Sequence, residues 1–276
     1  MSSATRSEGA PKSVAAVGDE ASLIEIFASS QGEGPEVGRS TVFVRFGGCD
    51  LRCRWCDSPS TWRPSTSCRI ETEPGREEFT ERLNPVSMAE VAQIAVGLAP
   101  RSSTWISLTG GEPLLQPEAI SNLAARLGKL GRRVYLETHG VHAEALAKCV
   151  EHVDLVSMDW KLASDVSWGP GIATGRRRQD FHEAHEAFLR VAQRARSVYV
   201  KVVLTPNTQN DEFDEMIERI VSVSPETLLV LQPVTPTGGV KEIPPPEQLL
   251  AWLARAEERL TDVRLIPQTH PIYGVL

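Results

Sequence analysis

From Ser22 onward, short apolar runs alternate with longer stretches of helical periodicity. Residues 41–46, 104–109, 133–137 and 153–157 read as buried strands, and 198–204, 227–232 and 262–266 continue the series. Between them the 3.6-residue pattern predicts helices, one opened by the capping box Ser87-Met-Ala-Glu90 and others near 116–130, 179–195, 209–223 and 246–260. Strands alternating with helices make βαβ units, hence a parallel sheet with right-handed crossovers. About six such units form an incomplete (β/α) barrel rather than a closed eight. Reactive groups in that architecture gather at the carboxyl ends of strands, and polar or glycine-rich sequence follows nearly every run. The segment 59–85 breaks the rhythm with Pro, Ser, Arg and Glu, which predicts an insertion. Residues 1–20 lack periodicity and predict a disordered tail, leaving 21–276 as a single domain.

Composition narrows the function. A chain of 276 residues, 41% of them hydrophobic, can bury a substantial core. Its 29 basic and 36 acidic residues give a net charge of -7, which argues against clamping a nucleic-acid backbone and favours a small-molecule substrate. No apolar run approaches the roughly 20 residues needed to span a bilayer, and residues 1–20 contain no apolar signal segment, so the expected location is the cytoplasm.

Of five cysteines, Cys49, Cys53 and Cys56 cluster, a spacing foreign to a disulfide framework. Cys68 reads as a loop thiol and Cys149 as a buried helix residue. The string Gly47-Gly-Cys-Asp-Leu-Arg-Cys-Arg-Trp-Cys-Asp57 sets three thiols at CxxxCxxC directly after a predicted strand. A cuboidal iron–sulfur cluster normally takes four thiolates, so three leave one iron open and reactive. A structural zinc site completed by Cys68 or a histidine satisfies the same spacing. After the next predicted strand comes Thr109-Gly-Gly-Glu-Pro113, whose paired glycines let backbone approach a ligand closely.

In this order, on consecutive strands, the two motifs resemble the radical S-adenosylmethionine (SAM) superfamily, whose partial barrel matches the strand pattern. The resemblance implies a four-iron four-sulfur (4Fe-4S) cluster on Cys49, Cys53 and Cys56, with the SAM amino and carboxylate groups on the open iron. One-electron reduction would cleave SAM to methionine and a 5′-deoxyadenosyl radical. Three further strings, Glu25-Ile-Phe-Ala-Ser-Ser-Gln-Gly-Glu-Gly34, Val44-Arg-Phe-Gly-Gly-Cys49 and Trp55-Cys-Asp-Ser-Pro-Ser-Thr-Trp62, resemble the 7-carboxy-7-deazaguanine synthase family. Those lyases convert 6-carboxy-5,6,7,8-tetrahydropterin to 7-carboxy-7-deazaguanine by radical ring contraction with loss of ammonia, in deazapurine (queuosine-type) biosynthesis.

The substrate's guanidine-like edge suits Ser30, Gln31, Gly32 and Glu33, and its carboxylate suits Arg45, whose plainer role is a structural ion pair. Thr109 and His270 complete the implied substrate set. The resemblance also implies SAM contacts from Trp55, Gly111, Glu112, Glu137, Asp159, Lys161, Gln232 and Pro233. Magnesium (Mg2+) would sit at Ser58, where the family usually has threonine. Gln268-Thr-His-Pro271 resembles a closing C-terminal segment, here followed by Ile272 to Leu276. A homodimer and an electron donor such as flavodoxin are further implications. His142, His152, His182 and His185 have no motif around them and read as surface or core residues. A glycyl-radical-enzyme activase, or a non-catalytic metal or iron–sulfur binding module, also accounts for the cysteine loop. The activase would not need Gln31-Gly-Glu33.

Overall fold

Nearly continuous burial along each apolar run marks strands covered on both faces, whose alternate side chains build two unlike layers. The computed structural model describes residues 18–170 and 181–275. Among them ten strands form the main sheet: β1 Leu23–Ser30, β2 Ser40–Phe46, β3 Ser67–Glu71, β4 Phe79–Leu83, β5 Trp105–Gly110, β6 Arg133–Thr138, β7 Leu155–Asp159, β8 Ser197–Leu204, β9 Leu228–Pro233 and β10 Val263–Leu265. The spatial order is β10-β9-β8-β7-β6-β5-β2-β1-β3-β4. Every neighbouring pair from β2 to β10 is parallel. Beyond β2 the sheet reverses: β1 is antiparallel to β2, β3 parallel to β1, and β4 antiparallel to β3.

Helices α1 Met88–Leu98, α2 Pro117–Lys129, α3 Ala143–Ala147, α4 Phe181–Ala192, α5 Asn210–Val223 and α6 Pro246–Glu257 follow β4, β5, β6, β7, β8 and β9 in turn, and a short α7, His270–Tyr273, ends the chain. This is the expected incomplete barrel, with each expected strand and helix present. The N-cap half of the capping box forms at α1, where Ser87 Oγ accepts the Glu90 N–H, while the Glu90 carboxylate turns to Arg82.

The string Glu25–Gly34, to which the sequence pattern assigns no element, runs through most of strand β1, where Glu25 meets Arg45 across the ladder. Other expectations need correction. The 59–85 insertion contributes β3 and β4, which widen the sheet; their Arg69, Glu81 and Arg82 mask the alternation, as suits edge strands. Cys68 is consequently a fully buried strand residue packed with Ile70, not a loop thiol. Order also begins earlier than expected: Glu20–Ala21 pairs with Val86–Ser87, while residues 1–17 lie outside the described part. Cys149 is buried as expected, at the turn after α3.

The outer face of the sheet supplies Val42, Val44, Phe46, Ile106, Leu108, Val134, Leu136, Val156, Met158, Val200, Val202, Leu229 and Leu231 to one core shared with the helices. Each such aliphatic side chain contributes about 1.5–3 kcal/mol on burial. The inner face has a separate apolar floor of Trp105, Tyr135, Leu155, Tyr199 and Val230. Two residues further along each strand the inner face turns polar, with Ser107, Glu137, Ser157, Lys201 and Gln232 all buried or nearly so. Unpaired polar groups there would cost several kcal/mol, so this layer exists for chemistry rather than stability. Among the described residues no helix is long and apolar enough to cross a membrane.

Candidate active site

The polar layer opens into a cavity of about 370 Å³ at the carboxyl ends of the strands, where barrel chemistry is expected. Its first wall is the cysteine loop after β2. Leu51–Cys53 pairs antiparallel with Val166–Trp168, the Arg54 guanidinium reaches Asp165 at 2.7 Å, and the Arg54 carbonyl accepts the Gly239 N–H at 2.7 Å. Loops after β7 and β9 therefore fix the cysteines. Asp50, between the first two, accepts hydrogen bonds from His139 at 2.8 Å and His142 at 2.9 Å. Burial works against its charge, but the two imidazoles outweigh it and hold the carboxyl well below the usual range. His142 is thus neither surface nor core but a clamp on this loop.

Cys49, Cys53 and Cys56 are free and all line the cavity. Burial pushes the Cys49 thiol up to about 12 and Cys53 up to about 11, the latter against the pull of Lys161. Thiols this deep ionise only beside a strong positive charge, which a metal supplies. Three cysteine thiols on one open cavity fit an iron–sulfur cluster with a vacant iron.

The second wall is the glycine loop. Gly110, at φ +138, has room only for hydrogen: a Cβ would lie 2.2 Å from the Phe46 carbonyl oxygen. Gly111 approaches the Gly48 carbonyl equally closely. Glu112 behaves differently from expectation. It is fully buried, with Oε1 accepting from the Leu114 N–H and the Thr138 hydroxyl and Oε2 accepting from the His139 N–H. Its carboxylate staples the loop to the end of β6 behind the cavity. Pro233 likewise is not part of the lining, which takes Val234 and Thr235 instead, because the inward position on β9 falls at Gln232.

The remaining expected residues come together: Ser30, Gln31, Gly32, Glu33, Arg45, Trp55, Ser58, Thr109, Gly111, Glu137, Asp159, Lys161, Gln232 and His270 all line this cavity with the cysteines. Gln31 donates to Glu137 at 3.0 Å, and burial raises the Glu137 carboxyl. Glu33 accepts from Gln232 at 3.2 Å and from Gln268 at 2.5 Å. The C-terminal segment closes on the string where the Thr269 N–H meets the Gly32 carbonyl at 2.9 Å. Arg45 uses Nε on Glu25 at 2.8 Å, so the structural ion pair exists while the guanidinium still faces the cavity. At the rim Ser58 Oγ donates to Asp57 at 2.9 Å.

On the far wall, Lys161 lies 2.6 Å from Asp159 and its ammonium is 5.7 Å from the Trp55 ring centroid. Burial opposes the Asp159 charge, but Lys161 and Lys201 outweigh it and bring the carboxyl down to about 2. Three buried polar atoms here, Ser30 Oγ, Asp159 Oδ1 and Gln232 Oε1, have no protein partner, as groups waiting for a ligand would. Sequence reading missed Lys201, whose only signal was a single charge inside an apolar run, and gave His139 no role. His182 and His185 are core residues: His182 accepts from the Trp160 indole, and His185 joins the Gly140 carbonyl to the Lys161 N–H.

Comparison with known proteins agrees with this site. Residues 43–222 match the model of the Radical SAM superfamily. The chain is 38% identical over 259 residues to 7-carboxy-7-deazaguanine synthase of Geobacter sulfurreducens, covering 93% of this chain and 98% of that protein. It is 32% identical over 265 residues to the enzyme of the same name from Methanothermobacter thermautotrophicus, covering 92% and 98%. Among solved structures, QueE from Escherichia coli has a similar fold, with TM-score 0.54 and 21% identity over 78% of this chain and 85% of that one.

Proposed function

Since the chain belongs to the 7-carboxy-7-deazaguanine synthase family of the radical SAM superfamily, we propose that its cavity converts 6-carboxy-5,6,7,8-tetrahydropterin to 7-carboxy-7-deazaguanine with loss of ammonia. It is a radical SAM lyase of deazapurine biosynthesis. The carrying observation is convergence: the three cysteines, the glycine loop and the Ser30–Glu33 string share one cavity.

Cys49, Cys53 and Cys56 would hold the 4Fe-4S cluster, and SAM would lie between the Gly110–Gly111 backbone and the Asp159–Lys161 pair. Together, when bound, these cofactors supply a carbon radical that removes hydrogen from the substrate. The chain's own residues do the placing. Arg45 takes the substrate carboxylate, while Glu33, Gln31 and the adjacent carbonyls accept from the guanidine-like edge. His270 and Gln268 close over it from the C-terminal segment. Excluding water protects a radical from side reactions, a task for Trp55, Phe27 and Phe43 in the lining.

We extend the reading to magnesium at the rim, where the oxygens of Ser58 and Asp57 suit a hard cation that would also attract the substrate carboxylate. A flavodoxin-type electron donor and a homodimer complete the proposal. The test is equilibrium binding of the pterin to anaerobically reconstituted, SAM-loaded protein with and without magnesium. Magnesium should tighten binding in wild type and much less in Ser58→Ala. Equal tightening in both would remove Ser58 from the metal site, and no pterin binding at all would overturn the substrate assignment.

A further inference from the structure

Lys201 stands at an inward position of β8, between the floor residue Tyr199 and Val203, and only 4% of it is exposed. Nothing in the resemblance gives it a role. A charge placed there needs compensation, and it receives two carboxylates: Asp159 Oδ2 at 2.8 Å and Glu33 Oε2 at 3.1 Å. The first comes from β7, whose register sets Asp159 directly opposite Lys201, and the second from the loop after β1. Lys161 then bonds the same Asp159 oxygen at 2.6 Å. Glu33, Lys201, Asp159 and Lys161 form a row of alternating charge that cancels along its length, running from the pterin side of the cavity to the SAM side.

We infer that Lys201 is a positioning residue that ties the pterin-facing Glu33 and the SAM-facing Asp159 to one ammonium, so that the two ligands are placed relative to each other by a single group. The inference rests on the assignment of the cavity given above. Both lysines bond Oδ2 of Asp159, which leaves Oδ1 buried, unpartnered and turned to a ligand. On the other side Lys201 holds one Glu33 oxygen while Gln232 and Gln268 hold the other. Without the ammonium, Asp159 keeps only Lys161 and Glu33 only its two glutamines, and nothing ties the two carboxylates to each other. Burial opposes the charge on Lys201, but Asp159 and Glu33 outweigh it and keep it protonated, so it anchors rather than transfers a proton.

The test uses anaerobically reconstituted wild type, Lys201→Met and Lys201→Arg. SAM affinity is measured by calorimetry without pterin, the pterin KM at saturating SAM, and the ratio of 5′-deoxyadenosine to product under turnover. Lys201→Met should weaken SAM binding and raise the pterin KM by about tenfold each, with a severalfold higher ratio, whereas Lys201→Arg recovers part of every quantity. A change in only one of the two affinities, or in neither, overturns the inference. Iron content and melting temperature report folding. Should Lys201→Met fold poorly, the double variant Lys201→Met/Glu33→Gln removes the stranded charge, and it must still bind SAM weakly for the inference to stand. Absence of product from wild type would sink the substrate assignment instead, while weaker SAM binding in Lys201→Met is required in either case.

Discussion

Gly111→Ala is the sharpest single perturbation of the contact between the two motif loops. A Cβ at Gly111 would lie 2.2 Å from the Gly48 carbonyl oxygen, 2.8 Å from the Gly48 carbonyl carbon and 2.9 Å from Cys49 Cβ. Ordinary contact between such atoms is about 3.5 Å, so one loop must retreat by roughly 1 Å. Neither can yield cheaply, because the Glu112 N–H bonds the Gly48 carbonyl at 2.8 Å and the Glu112 carboxylate pins the other side of the loop. Overpacking of about 1–3 kcal/mol plus one strained hydrogen bond of about 1 kcal/mol gives a loss of about 2–4 kcal/mol, a melting decrease of roughly 5–15 °C. That is survivable for a domain stable by about 5–15 kcal/mol. The functional loss should be larger, since Cys49 moves with Gly48 and a misplacement of about 1 Å can cost about a hundredfold in rate. The assay pairs thermal denaturation with iron content and reductive SAM cleavage. Gly128→Ala in α2, where an added Cβ meets nothing within 4 Å, serves as the control and should be neutral or slightly stabilising. Wild-type melting, iron content and cleavage in Gly111→Ala would refute the reasoning.

Three further outcomes follow from particular contacts. Burial draws His185 from its ordinary 6.5 down to about 3, so between those values the unfolded chain binds a proton that the folded one refuses. Its contribution is complete above pH 6.5 and is lost as pH falls toward 3, at up to about 1.4 kcal/mol per unit, and denaturant melts of His185→Asn should show a shallower acid slope; parallel slopes would clear His185. Arg45→Lys keeps the charge but not the fork, so the pterin KM should rise at least severalfold while Glu25→Gln barely changes it; the reverse order would make Arg45 a structural residue. Cys53→Ala should lose cluster iron and SAM cleavage, whereas Cys68→Ala and Cys149→Ala keep both and lose only packing energy, and iron retained in Cys53→Ala would overturn the ligand set.

Much of this was legible because continuous apolar runs and the βα rhythm are strong local signals. The seven strands from β2 to β10 in the parallel part, and the helices after them, follow from that rhythm alone. Strands β1, β3 and β4 did not, since Glu25, Arg69, Glu81 and Arg82 interrupt their apolar runs: Glu25 finds Arg45 and Arg69 only across the sheet, and Arg82 finds Glu90 only on α1. The motif residues could be placed at strand ends, yet which way a side chain turns is not written in spacing. Glu112 shows this, pointing backward as a staple while its neighbour Gly111 faces the cavity. Lys201 shows the converse: its partners Glu33 and Asp159 lie far away in sequence, and only the barrel register brings them together.

The central claim is that one cavity, formed by the cysteine loop, the glycine loop and the Ser30–Glu33 string, carries the ring contraction. Its most direct test is mass spectrometry of the products when anaerobically reconstituted protein, SAM, magnesium and a one-electron reductant meet 6-carboxy-5,6,7,8-tetrahydropterin. The account predicts 7-carboxy-7-deazaguanine, lighter than the substrate by one ammonia, in wild type and none in Cys53→Ala. SAM cleaved without that product, at full cluster content and with the pterin in excess, would contradict it.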